Sequence, residues 1–399
     1  MRDLKLSFAD AYETETSWIV ADTLCNACFE IDKATGKTEY LFSFKGEKLL
    51  QDGLYYRIYS YGRELIFAPG YAKQICIWNM DTKEQTCHSI IGERDLGYRY
   101  VDSYRIGDIL WLFPSSLDQP IVTFDIKRRK TEYWNDYMTH IPEEVKDRGH
   151  PVFFRQYAKR EKQAYTVLKN SPYLVRFDLE KRDASIKKIG DYLFTDVGCD
   201  ETAFWFSLLQ SDSVIRWEPD SGFLEKFDSH EPDSGMGYSN IIENQGRILL
   251  IPNLDNKIME PDLLTKDLKV FCSLPEGLGK MKDVRNGWRR FFSYRNMEDV
   301  VRLCPNQADC MVDIEVNKRQ AHGRFYDVEE VWWREVFHKQ AIIPCFAEEM
   351  AETEGEIMEN SLADLETYLD YIKQMESRQP KICENSYGKR IHQALNCNS

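Results

Sequence analysis

The sequence is poor in the features that mark several large protein classes. None of its 399 residues lie in an apolar run of the roughly 18 that a membrane-spanning helix needs, so no membrane partner is expected. The opening, MRDLKLSFADAYETE, lacks the apolar stretch of a secretory signal. Basic charge is in deficit, with 52 Lys and Arg against 66 Asp and Glu and a net charge of −14. That leaves no excess to neutralise phosphates, and nucleic acid is not an expected partner. The 11 cysteines are odd in number and scattered, which fits reduced thiols in a cytoplasmic protein better than a disulfide framework.

Motifs of known chemistry are missing too. The seven histidines, at 88, 140, 150, 230, 322, 338 and 392, never fall at H-x-x-x-H spacing. No G-x-S-x-G, P-loop or G-x-G-x-x-G occurs, so neither a nucleophile elbow nor a phosphate cradle has support. Cys25-x-x-Cys28 stands without a second pair and runs into a strand-like segment, which favours surface loop thiols over zinc or redox chemistry. Cys304 and Cys310, flanking PNQAD, are read the same way. No cofactor or metal is expected.

What the chain does have is apolar and aromatic material, at 43% and 13%, ample for a packed interior. Its length suits two domains or one large repeat architecture. ACFEIDKATGKTEYLFSF, from Ala27 to Phe44, alternates apolar and polar residues on both sides of a turn and is a β-hairpin. Its first half ends in apolar-x-apolar-acid, and that ending recurs. The acids are Asp32, Asp81, Asp125, Asp178, Glu218, Asp262 and Glu315, spaced by 40 to 53 residues.

An apolar strand precedes each copy: SWIVAD, ELIFAP, ILWLFP, QAYTVL, TAFWFSLL, RILLIP and DVVRLCP. Most copies have another before it, such as YYRIYSYG, YVDSYRIG, VFFRQYA and YSNIIENQG, and a closing strand follows each acid. Four strands per period of this length resemble the blade of a β-propeller. The resemblance covers about residues 5 to 327. EIDKATGK and EPDSG look like the D-x-x-TG turns of propeller repeats. The LFP, LIP and LCP endings are similar to those of uncharacterised bacterial propeller proteins, and no characterised subfamily follows. The expected fold is all-β, a seven-bladed β-propeller of four-stranded antiparallel blades with six as the alternative count.

The seven acids are expected to be structural, their carboxylates accepting backbone N–H bonds within the tight turn. Thr35-Gly36 and Ser221-Gly222 supply a residue that tolerates positive φ. Pro261 marks a weak copy, since proline removes a ladder donor, so the sixth repeat is expected to be irregular.

The texture changes near Asp327, placing a propeller over 1–327 and a helical extension over 328–399. Leu362, Leu365, Leu369, Ile372 and Met375 trace one helical stripe, after a capping-box-like Ser361–Asp364. Residues 345 to 377 carry ten acids and one base, Lys373. The stripe either caps a propeller flank or makes an acidic protein-docking element for a basic partner.

Two loops gather His and carboxylates: Tyr137–His150, with His140 and His150, and Ser229–Tyr238, with His230. They offer one route to function, a propeller lyase or hydrolase acting on carbohydrate. The preferred reading is a non-enzymatic binding or scaffold protein whose ligand is a protein or a carbohydrate. Loops between second and third strands, rich in Asn, Gln, Ser and Asp, would ring the channel mouth. The candidate ligand-binding residues are Asp22, Tyr71, Ser115, Asn170, Gln210, Asn253 and Asn306, taken as equivalent places, one per repeat. Turn propensity alone also accounts for these residue types.

Overall fold

The computed structural model describes residues 6–23, 25–47, 53–90, 100–116, 119–135, 137, 157–168, 170–229, 237–253, 255–276, 278, 291–305, 310–329, 331 and 332. The chain divides into two units, residues 1–330 and 331–399. The expected helical extension lies almost wholly outside the described residues, and its apolar stripe and acidic face lie wholly outside them. Among those residues no helix is long and apolar enough to cross a membrane.

Regular structure in the first unit is built from short antiparallel strands in sets of four. The first set is β1 (Phe8–Glu13), β2 (Ser17–Asp22), β3 (Cys28–Asp32) and β4 (Thr38–Phe42). The second is β5 (Tyr55–Tyr61), β6 (Glu64–Pro69), β7 (Gln74–Asn79) and β8 (Gln85–Ser89). Next come β9 (Tyr100–Ile106), β10 (Ile109–Pro114), β11 (Ile121–Asp125) and β12 (Lys130–Trp134). The fourth set is β13 (Ala158–Arg160), β14 (Gln163–Val167), β15 (Tyr173–Asp178) and β16 (Asp183–Lys188). The fifth is β17 (Phe194–Cys199), β18 (Phe204–Leu208), β19 (Val214–Trp217) and β20 (Leu224–Ser229). The sixth is β21 (Tyr238–Asn244), β22 (Arg247–Pro252), β23 (Lys257–Asp262) and β24 (Asp267–Ser273). The last is β25 (Phe291–Asn296), β26 (Val300–Pro305), β27 (Cys310–Glu315) and β28 (Gln320–Phe325).

The arrangement is that of a propeller, each set a meander. Seven separate blades do not form, however. Five four-stranded sheets stand alone, and the fifth and sixth sets share one eight-stranded sheet. Their outer strands join through the short parallel pair Asp228↔Asp267 and Ser229↔Leu268. The sixth set is also the irregular one: β22 and β23 meet only at Leu250↔Met259, and β23 slips against β24 between Ile258 and Met259. Pro261, on that strand, has no N–H to give.

The second strands are mostly apolar because both faces are buried, each against a different neighbour, with Thr166, Ser207 and Arg302 the buried polar residues inside β14, β18 and β26. In β6, Leu65 and Phe67 pack with Ile19 and Ala21 of the first set. Ile66 and Ala68, pointing the other way, pack with Leu110 and Leu112 of the third. The same division recurs in β10, where Trp111 and Phe113 turn to Ala164, Val175 and Phe177.

The first and last sheets close on each other with polar ties. Asp327 forms a parallel bridge to Lys37, its N–H donating to the Gly36 carbonyl at 2.9 Å. Thr38 donates its N–H and hydroxyl to the Asp327 carbonyl at 3.1 and 2.7 Å. Gly36, at φ 72°, is required twice over, since a Cβ would sit 2.6 Å from the Phe325 carbonyl oxygen. Arg302 is buried across the same seam, bidentate on Asp313 at 2.7 and 3.0 Å and 2.6 Å from Glu13.

The outer hairpin turns bear out the capping role for Asp32, Asp125, Asp178 and Asp262. They do not for Asp81, nor for Glu218 and Glu315, whose carboxylates meet the side chains of Arg216 and Ser221 and of Lys318 instead of backbone N–H groups. The side chain of Asp32 accepts the N–H groups of Ala34 and Thr35, that of Asp125 the N–H of Arg128, and that of Asp178 the N–H of Lys181. In the second set the accepting residue is Asn79, two places before Asp81, taking N–H bonds from Asp81 and Thr82 at 2.9 and 3.0 Å. The acid pattern falls out of register there because an amide oxygen caps as a carboxylate does. Four residues beyond each turn-opening residue the backbone is left-handed, at Gly36, Lys83, Arg129, Arg182, Gly222, Lys266 and Arg319. Four of these basic residues reach an acid in the preceding set. The pairs are Arg129–Glu64 (2.5 Å), Arg182–Glu132 (2.8 Å), Lys266–Glu225 (2.6 Å) and Arg319–Glu260 (2.5 Å).

Candidate binding site

Each set opens with a buried aromatic residue, followed two places on by a polar one. The pairs are Phe8 and Asp10, Tyr55 and Arg57, Tyr100 and Asp102, Tyr157 and Lys159. They continue as Phe194 and Asp196, Tyr238 and Asn240, Phe291 and Ser293. In six sets the register between first and second strand slips by one residue at this point. Such a bulge re-aims the side chain that follows. Four of the bulges face the terminal proline of the second strand, Pro69, Pro114, Pro252 or Pro305. A broken ladder asks no N–H of its partner, which explains the recurrent Pro ending.

Five of these polar residues, from Asp10 to Asp196, alternate in charge along the innermost strands, and Asn240 and Ser293 are neutral. Arg295 grips Asp10 with two nitrogens, at 2.7 and 3.1 Å, and Ile58 N–H donates to the same carboxylate at 2.8 Å. Arg57 lies 3.5 Å from Asp102 and donates to the Tyr294 carbonyl at 2.7 Å. Lys159 meets Asp102 at 2.9 Å, and Tyr157 N–H donates to that carboxylate at 3.1 Å. Asp196 and Asn240 continue the ring, both buried. Burial works to raise the Asp10 carboxyl, yet the charge and hydrogen bonds of Arg295, with Arg57 behind them, hold it below its ordinary value. Lys159 is shifted down because burial outweighs the pull of Asp102. Arg295, Arg57 and Lys159 neutralise Asp10 and Asp102 across neighbouring sets, which fits these pairs to tie the inner strands together.

The candidate residues at the second-strand ends are not equivalent in register. Asp22 is the last residue of its strand and pairs with Phe8. Ser115 and Asn253 lie one place beyond theirs, and Tyr71 and Gln210 two. Asp22 is buried, with Ser7 and Cys25 N–H groups donating to its carboxylate at 3.0 and 2.7 Å. That carboxylate shapes its own loop. Ser115 is buried as well. Asn170 and Gln210 are exposed and left-handed, at φ 55° and 56°. Tyr71 is half-buried, edge-on to the Tyr56 ring with centroids 6.5 Å apart. Asn253 donates its N–H to the Gly237 carbonyl at 3.3 Å. Asn306 lies outside the described residues, as do His140, His150 and His230.

No group of three or more His, Cys, Asp or Glu that could hold a metal occurs among the described residues. Cys25, Cys28, Cys304 and Cys310 are all buried, not surface loop thiols. The inner ring was legible in the sequence as aromatic-x-polar at the start of each repeat, but a search for acids at strand ends passes over it.

No family model matches the chain, and no curated protein is similar to it in sequence. Solved structures do match. The computationally designed Ika8 protein is 10% identical with a TM-score of 0.52, over 80% of this chain and 87% of that one. YCF48 bound to D1 peptide is 9% identical with a TM-score of 0.53, over 76% and 91%. The WD40 repeats of RRP9 are 12% identical with a TM-score of 0.50, over 76% and 89%. At these identities the likeness is one of fold: the chain has a propeller arrangement, and these likenesses support no characterised subfamily.

Proposed function

We propose that this chain is a non-enzymatic binding or scaffold propeller that takes a polypeptide on the face formed by its second-to-third strand loops. One observation carries the reading. Asp10, Arg57, Asp102, Lys159 and Arg295 on the innermost strands are paired with one another, whereas Asn170, Gln210 and Tyr71 stand at or near the surface of the loops. An amide pair and an aromatic edge suit hydrogen bonding to peptide backbone with little charge. A propeller of similar fold held with a peptide, YCF48, supports the class of ligand. We also count each half of the eight-stranded sheet as a blade, giving seven; the aromatic-x-polar opening of both halves supports that count.

The test is selection from a random peptide library on the immobilised full chain, followed by affinity measurement for Tyr71→Ala, Asn170→Ala and Gln210→Ala. Each change should weaken binding by roughly 0.5 to 2 kcal/mol, with Tyr71 the largest. Selected peptides whose affinity ignores all three changes would move the site elsewhere. Selection that fails while a glycan array succeeds would replace the peptide with a carbohydrate.

A further inference from the structure

Cys76 and Cys87 face each other across β7 and β8. The ladder fixes which kind of pair they make. Asn79 N–H donates to the Glu84 carbonyl at 3.0 Å at one end, and Ile90 N–H to the Lys73 carbonyl at 3.1 Å at the other. Antiparallel pairs alternate between hydrogen-bonded and non-hydrogen-bonded, and Cys76↔Cys87 lies three steps from each end. It is therefore a non-hydrogen-bonded pair, the closer kind, with Cα atoms about 4.5 Å apart. That spacing falls at the short edge of the window a disulfide accepts, about 4.4 to 6.8 Å.

The two thiols are unbridged and differ in setting. Cys76 is buried in the core between the first two sets, beside Cys28, Phe44 and Tyr55. Cys87 is half-exposed on the outer strand, its thiol 3.9 Å from the Lys45 carbonyl. The Cys76 thiol donates to Gln85 Oε1 at 3.7 Å, and its sulfur beside Cys87, with the Lys45 charge nearby, brings the Cys87 thiol down to about 7 against the resistance of burial. The neighbouring Cys87 sulfur and burial hold the Cys76 thiol well above its ordinary value.

We propose that Cys76 and Cys87 are a redox-active dithiol that closes into a reversible cross-strand disulfide on meeting a low-molecular-weight disulfide. The Cys87 thiolate attacks one sulfur of the oxidant, breaking its S–S bond and releasing one small thiolate. The Cys76 thiol then gives up its proton and attacks the Cys87 sulfur, expelling the second small thiolate. Two protein thiols are oxidised, one small disulfide is reduced to two thiols, and both protons pass to the leaving thiolates. Closure at the short edge of the window favours a bond that is easily reduced again. It also removes the S–H donor to Lys45, in the 43–47 segment that links the first two sets.

The test equilibrates the reduced full chain with graded ratios of reduced and oxidised glutathione, quenches by alkylation and maps the cysteines by mass spectrometry. One disulfide should join the peptides holding Cys76 and Cys87 and should vanish with dithiothreitol. Cys76→Ser should stop at a glutathione adduct on Cys87, and Cys87→Ser should give neither product. In the unaltered chain at pH 7, Cys87 should alkylate at least ~10-fold faster than Cys76. A stable adduct on Cys87 of the unaltered chain without a crosslink would overturn the proposal. So would oxidation of other cysteines while this pair stays reduced.

Discussion

The protein carries two rings of ion pairs between neighbouring four-strand sets, one on the innermost strands and one at the outer hairpin turns. The inner pairs, Arg295–Asp10 and Lys159–Asp102, have carboxylate side chains only 3% and 2% exposed. In the outer Arg182–Glu132 pair both side chains are near 45% exposed. The distances are nearly the same, 2.7 to 2.9 Å. Water decides what each is worth. Exposed pairs contribute little because solvent screens them and the side chains lose freedom. Buried pairs add little beyond an apolar substitute, but breaking one strands a charge without solvent.

The comparison breaks most sharply at Asp10. Arg295→Met leaves that carboxylate with fewer partners in the interior and should cost about 3 kcal/mol in denaturant unfolding. Asp10→Asn with Arg295→Met together should recover part of that loss. A single change costing no more than an exposed pair would show the inner ring to be hydrated. The same pair sets an acid limb. Asp10 has a lower carboxyl value folded than unfolded, so its contribution is full above the ordinary 3.8 and fades as pH falls through the folded value. Asp10→Asn should flatten stability against pH in that window.

A smaller effect belongs to the turns. Asn79→Ala removes an acceptor of two backbone N–H groups and should cost about 1 kcal/mol. Asp81→Ala should leave the melting temperature unchanged, since its side chain is 60% exposed and meets Arg63 only at 3.5 Å. Equal losses at the two positions would restore Asp81 as the turn-capping acid. The smallest effect is at the outer ring: Arg182→Ala should shift stability by about 0.5 kcal/mol or less. Glu132, which Arg182 and Lys130 bring down to about 2, should then titrate closer to its ordinary value by NMR.

Much of the fold was legible because a propeller strand keeps one environment along its length. Second strands packed on both faces appear as runs such as ELIFAP and ILWLFP, and the outer hairpins as alternation closed by a turn residue. The candidate site was less legible. Asp22 and Asn170 belong to the same class of loop former in sequence, yet one is buried against its own backbone amides and the other is exposed.

Local chemistry, then, determined the strands, the turn caps and the period, because each depends on residues a few places apart. Tertiary structure alone decided the rest. It placed Asp10 beside Arg295, 285 residues away, and joined two sets through β20 and β24. It also put Cys76 opposite Cys87 in a close pair. Those outcomes depend on how sheets stack and where bulges fall: the aromatic-x-polar opening recurs in the sequence, but which charge meets which is set only when the inner strands come together.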